Sequence, residues 1–396
     1  MSRGFLWFAQ NNAKTDYVEL SIKLAQSIKK YNYHNKVCVV TDKESKIESK
    51  HVDHVKVLKE DLSETHSMKW ANEFKAFAIT PFTHTIKIEA DMAWTLKTSS
   101  RFTGEIRFCR STDGGENFET PRTINDDNLF TGHRFESLFL VDSGHLYLTW
   151  VDKRDLEASV EAGEDYAGAA IYYAVSDDDG ASFSQNYRVA NNSCECCRIA
   201  IAPRGPENIA ILWRQVFGED VRDHAIAELT PSGKTLTTNR ASYDQWHINA
   251  CPHHGPTMVQ SSLSGDYHMS WFTNGDLNQG IYYARYSFDD GRSASIFQVD
   301  GQPGAGHPFL SEHNEKLHLV WKGFNGRETL LNLITSEDDG ATWSEPTTLL
   351  KTDKGSAHPL LIQNSDSLFL SWHSDEFGYV LLDVSENTRR LSNNEN

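Results

Sequence analysis

The sequence predicts a mainly β protein, namely a six-bladed β-propeller, complete or lacking part of a blade, preceded by a partial α/β segment of Rossmann-like type. Three observations predict it. A turn motif of eight residues recurs at intervals of roughly 50 to 65 residues along most of the chain. A short apolar strand that ends in tryptophan recurs at similar intervals. The first hundred residues instead alternate apolar strands with helical patterns, which indicates a parallel sheet.

The turn motif reads S-x-D-x-G-x-x-[WF], and its best copy occupies residues 336–343. Copies at 111–118 and 176–183 keep the pattern, a weaker copy at 287–291 lacks the aromatic residue, and only a remnant is left near residue 229. Asp and Ser bind backbone amides within turns, and glycine supplies positive φ. We therefore expect each copy in a hairpin between two strands of a blade. The residues given this structural role are Ser111, Asp113, Gly115, Ser176, Asp178, Gly180, Ser287, Asp289, Gly291, Ser336, Asp338, Gly340 and Trp343.

The strands that end in tryptophan predict at least five blades. They end at Trp150, Trp213, Trp271, Trp321 and Trp372. A strand at 104–109 is expected to close a sixth blade by pairing with the C-terminal residues 379–384. Such closure would remove exposed sheet edges.

The first hundred residues carry strand patterns at 4–9, 36–41, 54–58 and 85–88, with helical spacing at 16–31 and 70–78. The run 85–92, which holds Glu89 and Asp91, resembles the D-x-D motif of GT-A glycosyltransferases, with Glu in the first position. That resemblance implies a divalent metal and a sugar nucleotide bound by Glu89 and Asp91. Two solvated carboxylates at a strand end are the alternative. We assign residues 1–98 to this truncated GT-A-like segment and expect no transferase activity, because the acceptor half of such an enzyme is missing.

The turn motifs resemble the Asp-boxes (BNR repeats) of the sialidase superfamily, which implies a sialidase-like propeller over residues 99–396. In that family the boxes lie on the face away from the active site. The family binds its substrate carboxylate with three arginines and uses a tyrosine nucleophile and an acid/base aspartate. Its Arg-Ile-Pro motif is absent here, so the resemblance implies an exo-glycosidase-like or glycan-binding protein rather than a strict sialidase. The candidate catalytic residues are Arg198, Arg214, Arg222, Asp223, Asp152 and Tyr243. Ordinary ion pairs with neighbouring acids are the alternative role for the arginines.

A second marker precedes each tryptophan of the repeated strands by about fifteen residues, and we expect it to start the innermost strand of each blade. It reads Gly-His-Arg at 132–134, Cys-Cys-Arg at 196–198, His-Gly-Pro at 254–256, Gly-His-Pro at 306–308 and Ala-His-Pro at 357–359. Two such markers are rich in cysteine and histidine, and they resemble the C-x-C-C and C-P-x-x-G-P motifs of a bacterial group of uncharacterised BNR-repeat proteins. The candidate metal ligands are Cys194, Cys196, Cys197, Cys251, His253 and His254. Thiolates and imidazoles suit a thiophilic or divalent metal such as copper or zinc. A disulfide between Cys251 and Cys196 or Cys197, and inert thiols, remain open.

The composition excludes some partners. A net charge of −17 argues against general binding to nucleic acids or anionic membranes. No apolar run has the length of a membrane span, and the N-terminus does not read as a signal peptide. The expected location is cytoplasmic, or exported if the native N-terminus was lost. Three functions remain: a glycan or glycoconjugate as ligand or substrate, a non-catalytic metal- or partner-binding propeller, and residual sugar-nucleotide binding.

Overall fold

The structure is a computed structural model of the chain. It describes residues 3–9, 18–19, 21–22, 25–26, 29, 36–43, 45–58, 84–87, 93–97, 104–112, 118–166, 168–250, 252–364 and 366–385. Within them the protein is mainly β, as predicted, and its sheets follow one another along the chain. No helix among these residues has the length and apolar character needed to cross a membrane.

The N-terminal segment forms a parallel sheet of four strands in the order β3-β2-β1-β4. These strands are β1 (Arg3–Phe8), β2 (Lys36–Thr41), β3 (His54–Val57) and β4 (His84–Lys87). The parallel pairing confirms the α/β interpretation of this segment, and the described residues between 18 and 29 are helical. Glu89 and Asp91, and the helix expected at 70–78, lie outside the described residues. The likeness to GT-A enzymes therefore stays a prediction.

Six antiparallel sheets follow, and each is a meander of consecutive strands. The first sheet holds β5 (Ala93–Lys97), β6 (Gly104–Phe108) and β7 (Arg122–Thr123), and the second holds β8 (His133–Leu140), β9 (Leu146–Asp152), β10 (Ala169–Ser176) and β11 (Tyr187–Ser193). The third sheet holds β12 (Ala200–Arg204), β13 (Asn208–Arg214), β14 (His224–Leu229) and β15 (Thr235–Arg240), and the fourth holds β16 (Thr257–Gln260), β17 (Tyr267–Asn274), β18 (Gln279–Ser287) and β19 (Arg292–Asp300). The fifth sheet holds β20 (Gly306–His313), β21 (Lys316–Phe324), β22 (Thr329–Ser336) and β23 (Thr347–Thr352), and the sixth holds β24 (Leu360–Gln363), β25 (Leu368–Ser374) and β26 (Gly378–Asp383). One helix, α1 (Arg154–Ala162), connects β9 to β10.

The first strands of successive four-stranded sheets contact one another, β8 with β12, β12 with β16 and β16 with β20, and β20 also contacts β24. This places them innermost, as the blades of a propeller require. In each blade the first and second strands are antiparallel. The beginning of the first strand and the end of the second therefore lie on the same face of the propeller. The turn motifs, which follow the third strands, lie at the opposite face. Each sheet is therefore a blade in the predicted orientation.

The predicted closure of the sixth blade is wrong. Residues 104–108 pair with β5 and β7, and β26 pairs with β25, so the two sets of residues belong to different three-stranded sheets. The edge of β6 that was predicted to pair with residues 379–384 is instead hydrogen-bonded to β5. The boundary between residues 98 and 99 stays a prediction, although β5 pairs across it. One apolar face of the sixth sheet, with Phe369, Tyr379 and Leu381, packs on Val37 and Val39 of the parallel sheet.

The five tryptophans of the repeated strands are the largest core side chains of the blades, and each is at most 2% exposed. Each indole N–H has a partner. Trp150, Trp271 and Trp321 donate to the carboxylates of Asp152 (2.8 Å), Asp244 (2.8 Å) and Asp300 (2.7 Å). Trp213 donates to the side chain of Gln215 (2.8 Å) and Trp372 to the carbonyl oxygen of Ala357 (3.1 Å). Because a buried indole N–H without a partner costs free energy, these acceptors secure the position of each ring.

The turn motifs at 176–183 and 336–343 have the same hydrogen bonds. In the first, the Ser176 hydroxyl donates to Asp178 (2.8 Å) and accepts from the amide of Gly180 (2.8 Å), while Asp178 also accepts from the amide of Ser182 (2.8 Å). The bonds from Ser182 hold the pKa of Asp178 at about 2. Gly180 has φ +76° and Gly340 φ +78°. These motifs are therefore structural turns, as predicted.

The remaining copies are less complete. Asp113 and Gly115 lie outside the described residues, while Ser111 and Phe118 are placed beside them. In the weak copy, Gly291 has φ +64° and starts the turn into β19, and Asp289 is exposed. In the fifth sheet Trp343 packs edge-to-face on Tyr283 of the fourth sheet. The aromatic residue of that copy thus anchors its turn on the preceding blade.

Candidate functional site

A basic cluster lies where the inner strands of four blades begin. Its members, here called the basic mouth, are Arg198, His254, His307, Lys322 and His358. The rings of His254 and His307 stack with centroids 4.1 Å apart, and those of His307 and His358 with centroids 3.4 Å apart. The three imidazoles thus form a continuous stack that spans the fourth, fifth and sixth sheets. The ring of Phe272 extends it, 4.3 Å from His254.

The local sequence allows this close approach. An alanine Cβ at Gly306 would lie 2.8 Å from Cε1 of His254, and one at Gly255 would lie 2.9 Å from the carbonyl oxygen of Arg198. The glycines of the second marker therefore let neighbouring strand starts touch. His307 itself has φ +55°, in the left-handed region that a histidine seldom adopts. Such backbone strain persists only where surrounding structure fixes it, and it concentrates at functional sites.

The positive charges of the basic mouth have no acidic partner among the described residues. Lys322 donates to the carbonyl oxygen of Ser356 (3.0 Å), and Arg198, which is exposed, forms no ion pair there. Burial lowers the pKa of His254 to about 4, aided by Arg214 and His358. Burial also lowers the pKa of His307 to about 3, aided by the two neighbouring imidazoles and Lys322. At neutral pH these two imidazoles are therefore uncharged, and the positive charge of the basic mouth comes from Arg198 and Lys322, in a protein of net charge −17.

Arg214, at the end of β13, lies beneath this face and is 1% exposed. Its guanidinium donates to the backbone oxygens of Arg222 (2.8 Å), Phe272 (2.7 Å) and His254 (3.2 Å), and it lies 4.8 Å from the ring of Trp246. Its Nε has no partner. Among the described residues no carboxylate pairs with it. A buried guanidinium held only by carbonyl groups is unusual, because burying an uncompensated charge is costly.

Three of the predicted metal ligands come together beside Arg214. The Sγ atom of Cys194 lies 3.1 Å from that of Cys197 and 3.7 Å from that of Cys196, and all three side chains are buried against Phe135. Hydrogen bonds from the other two thiols lower the pKa of Cys194, and the bond to Cys194 raises the pKa of Cys196. Cys251 lies outside the described residues. His253 and His254 do not join the group of sulfur ligands within the part of the chain that is described.

The candidate catalytic carboxylates are occupied by structural contacts. Asp152 accepts from Trp150 and from the backbone amide of Arg154 (2.9 Å), and Asp223 pairs with Arg240. Both are fully buried. Arg222 donates from Nε to the carbonyl oxygen of Ile248 (2.7 Å). Both acids are therefore already engaged in structural hydrogen bonds and ion pairs.

Tyr243 is exposed and lies against the guanidinium of Arg240, 4.8 Å from the ring centroid. Among the described residues, no glutamate is placed against it. The structure therefore brings Arg198 and Arg214 to the face of the basic mouth. Arg222 joins them there, because its carbonyl oxygen accepts from Arg214, while Asp223 and Tyr243 both contact Arg240. The grouping expected for sialidase chemistry stays a prediction.

A second cluster of ligand atoms, those of Asp127, His133 and Asp152, gathers within 4.8 Å. His133 is buried, with Nδ1 donating to the Gly104 carbonyl oxygen (2.7 Å) and Nε2 to Asp127 (2.9 Å). Burial opposes its charge, yet the bond to Asp127 raises its pKa. Arg154 pairs with Asp152 and Asp127 as well. Every ligand atom is already satisfied, so this cluster is an ion-pair network that joins the first two sheets.

His307, His358 and Lys322 are not among the site residues predicted from the sequence, although the Gly-His-Pro and Ala-His-Pro markers contain the two histidines. Lys322 had no signal of its own, since it directly follows the Trp321 that ends a repeated phrase. Its role emerges only because Lys322 is paired with Gly306 across the fifth sheet, which brings its ammonium group beside His307.

No family model and no curated protein matches the chain. Solved structures with a similar fold include an ulvan lyase of a new polysaccharide lyase family bound to -[GlcA(1-4)Rha3S]-, at 11% identity and TM-score 0.44, with 74% of this chain and 76% of that chain covered. An α-L-arabinanase of Penicillium chrysogenum complexed with arabinobiose has 13% identity and TM-score 0.43, covering 74% and 88%. An α-L-arabinofuranosidase of Fusarium graminearum has 14% identity and TM-score 0.43, covering 74% and 91%. Likeness of this degree assigns neither activity nor substrate to this chain.

Proposed function

We propose that the protein binds an anionic glycan at the basic mouth. The observation that carries the proposal is a cluster of cationic and imidazole groups, contributed by four blades, that has no acidic partner among the described residues. Arginine and lysine bind carboxylates and sulfates through charge-assisted hydrogen bonds. Because the protein is strongly acidic overall, a polyanion would be repelled unless such a local cluster attracted it.

The stacked rings support a sugar rather than a small inorganic anion. The stack of Phe272 and the three imidazoles ends at His358, which is exposed and offers a flat ring face beside the charged groups. Ligand sites combine such surfaces with a few polar groups that fix orientation. The Asp-box resemblance to the sialidase superfamily favours the same class of ligand. Arg198, which is exposed and unpaired among the described residues, would contact the anionic group directly, and Lys322 would contact it from the fifth sheet.

The proposal is for binding, with hydrolysis as a separate question. A glycosidase needs two carboxyl groups or an equivalent pair at the scissile bond. Asp152 and Asp223 are held by Arg154 and Arg240, so neither is free to act as acid or base. We therefore expect no measurable cleavage of a fluorogenic sialoside. Cleavage that is abolished by Tyr243→Phe would instead support the sialidase-like alternative.

The test is calorimetric titration of the full chain with uronate-containing or sulfated oligosaccharides, each beside a neutral oligosaccharide of the same backbone. We expect binding of the anionic ligands only, weakened about tenfold by Arg198→Ala and by Lys322→Ala. Arg292→Ala is the matched control, since Arg292 is exposed at the opposite face, beside a turn motif. Equal affinity for the neutral ligands, or equal effects of Arg198→Ala and Arg292→Ala, would contradict the proposal.

Protonation gives an independent readout. A bound anion favours the imidazolium form, so it must raise the pKa values of His254 and His307 from their lowered positions. By linkage, affinity for the anionic ligand must increase as pH falls from 7 toward 4, and His307→Phe must reduce that increase. An affinity that is independent of pH in this range would place the ligand elsewhere.

A further inference from the structure

The three buried cysteines between β11 and β12 are spaced for a metal ion. Thiolate sulfurs lie about 2.3 Å from zinc, which puts neighbouring sulfurs of a tetrahedral site about 3.8 Å apart. The Sγ atoms of Cys194 and Cys196 are already at about this separation, 3.7 Å. The Sγ atoms of Cys194 and Cys197 are 3.1 Å apart, so this separation would have to increase by about 0.7 Å to bind the metal or decrease by about 1 Å to form a disulfide.

A disulfide between two of these three cysteines does not account for the arrangement. It would use two of the sulfurs and leave the third buried as a thiol. It would also be neutral, whereas the adjacent Arg214 is a buried cation without a carboxylate partner among the described residues. One hydrogen bond ties Arg214 to the cluster, from the amide of Cys194 to the Arg214 carbonyl oxygen (2.9 Å), and the positive charge of the guanidinium favours the thiolate form of Cys194.

We propose that Cys194, Cys196 and Cys197 bind a soft metal ion, copper(I) or zinc(II), as a thiolate complex for which Arg214 supplies the counter-charge. Three thiolates leave a complex of net charge −1 around a divalent ion and −2 around a monovalent ion. Either charge would offset that of the guanidinium and so lower the cost of burying that cation.

The ligand set determines the class of metal. All three ligands are sulfur, and the partly buried ring of Phe135 packs on them. Sulfur ligands select copper(I) and zinc(II), whereas calcium and magnesium require oxygen. The glycan site proposed above does not depend on this metal, because no residue of the basic mouth is a ligand in the complex.

The test begins with the full chain, purified under reducing, oxygen-free conditions, and incubated separately with zinc(II) and with copper(I) against a chromophoric chelator. We expect one ion per chain to be retained from at least one of the two. Cys194→Ser, Cys196→Ser and Cys197→Ser should each lower that occupancy at least tenfold. Cys109→Ser is the matched control, because Cys109 is buried in the first sheet outside the cluster.

A second measurement needs no variant, in case a serine disrupts folding. The wild-type protein is alkylated with iodoacetamide before and after metal loading, and the labelled cysteines are located by mass spectrometry. Metal should protect the three cluster cysteines together, and removal of the metal by a chelator should restore their labelling. The proposal would be overturned if the protein retained neither ion. It would also be overturned if two of the cysteines formed a disulfide, so that their protection from alkylation was the same with and without metal.

Discussion

Replacing Gly340 by alanine tests whether the turn motifs join neighbouring blades. Gly340 lies in the motif of the fifth sheet, and a Cβ there would lie 2.0 Å from the hydroxyl oxygen of Tyr283 and 3.3 Å from Nδ1 of His268. Both of these residues belong to the fourth sheet, where the Tyr283 hydroxyl and His268 Nδ1 are hydrogen-bonded at 2.7 Å. The added methyl group must therefore displace a buried contact between two blades. Gly326 has φ +91° and no atom within 4 Å of its Cβ position, so Gly326→Ala is the matched control.

Both substitutions place alanine at a positive φ, but only Gly340→Ala also crowds a packed contact. Alanine at positive φ costs about 1 kcal/mol of the free energy of unfolding at either position. Crowding a well-packed region by one methyl group adds about 1 to 3 kcal/mol. We expect Gly326→Ala to destabilise by about 1 kcal/mol and Gly340→Ala by about 2 to 4 kcal/mol.

Urea unfolding of both variants and of wild type, monitored by tryptophan fluorescence, measures the difference. Tyr283→Phe removes the atom nearest to the new methyl group, so Gly340→Ala should be less destabilising in that background than in wild type. Equal losses for Gly340→Ala and Gly326→Ala would refute the reasoning, because the motif would then not pack on the preceding blade.

Three further outcomes follow from other parts of the structure. The lowered pKa of His307, about 3, means that the unfolded chain binds more protons than the folded one between pH 6.5 and 4. Stability must therefore fall as pH falls through this window, and His307→Phe should reduce the loss between pH 7 and 4.5 by about 1 to 2 kcal/mol in urea titrations, after allowance for partial exposure. Trp271→Phe removes a hydrogen bond to the fully buried Asp244 and should destabilise by about 2 to 3 kcal/mol, measured the same way. Asp178→Ala should lower the melting temperature by more than Asp178→Asn does, since the asparagine side-chain oxygen can still accept the amide of Ser182 in the turn.

Much of the blade architecture could be predicted because its determinants are local. The turn at 176–183 contains its own hydrogen-bond donors and acceptors, and the tryptophans mark the second strand of the five sheets that follow the first. The prediction for the ends of the propeller failed for a non-local reason. Residues 104–108 found a partner in β5, which lies before them in the chain, rather than in β26. Choice between two possible strand partners depends on tertiary packing, and no pattern within the strand encodes it.

The candidate site divides in the same way. The C-x-C-C motif and the histidine markers were visible in the sequence, and the structure brings Cys194, Cys196 and Cys197 into contact. The structural work of Asp152 and Asp223 was not visible, because their partners Arg154 and Arg240 are ordinary charged residues. Only burial showed that these carboxylates are satisfied within the blades.

The repeat, the hairpin turns and the mainly β architecture follow from local sequence, because each depends on residues within one turn or one strand. The positions at which charge accumulates depend instead on how the blades pack. Arg198 and His358 are separated by most of the propeller in sequence, and Lys322 reaches them only across a β pairing. The unpaired state of Arg214 likewise follows from what surrounds it in three dimensions. Electrostatic potential and burial sum over all neighbours in space, so the basic mouth and the thiol cluster acquire their chemistry only when the blades pack together.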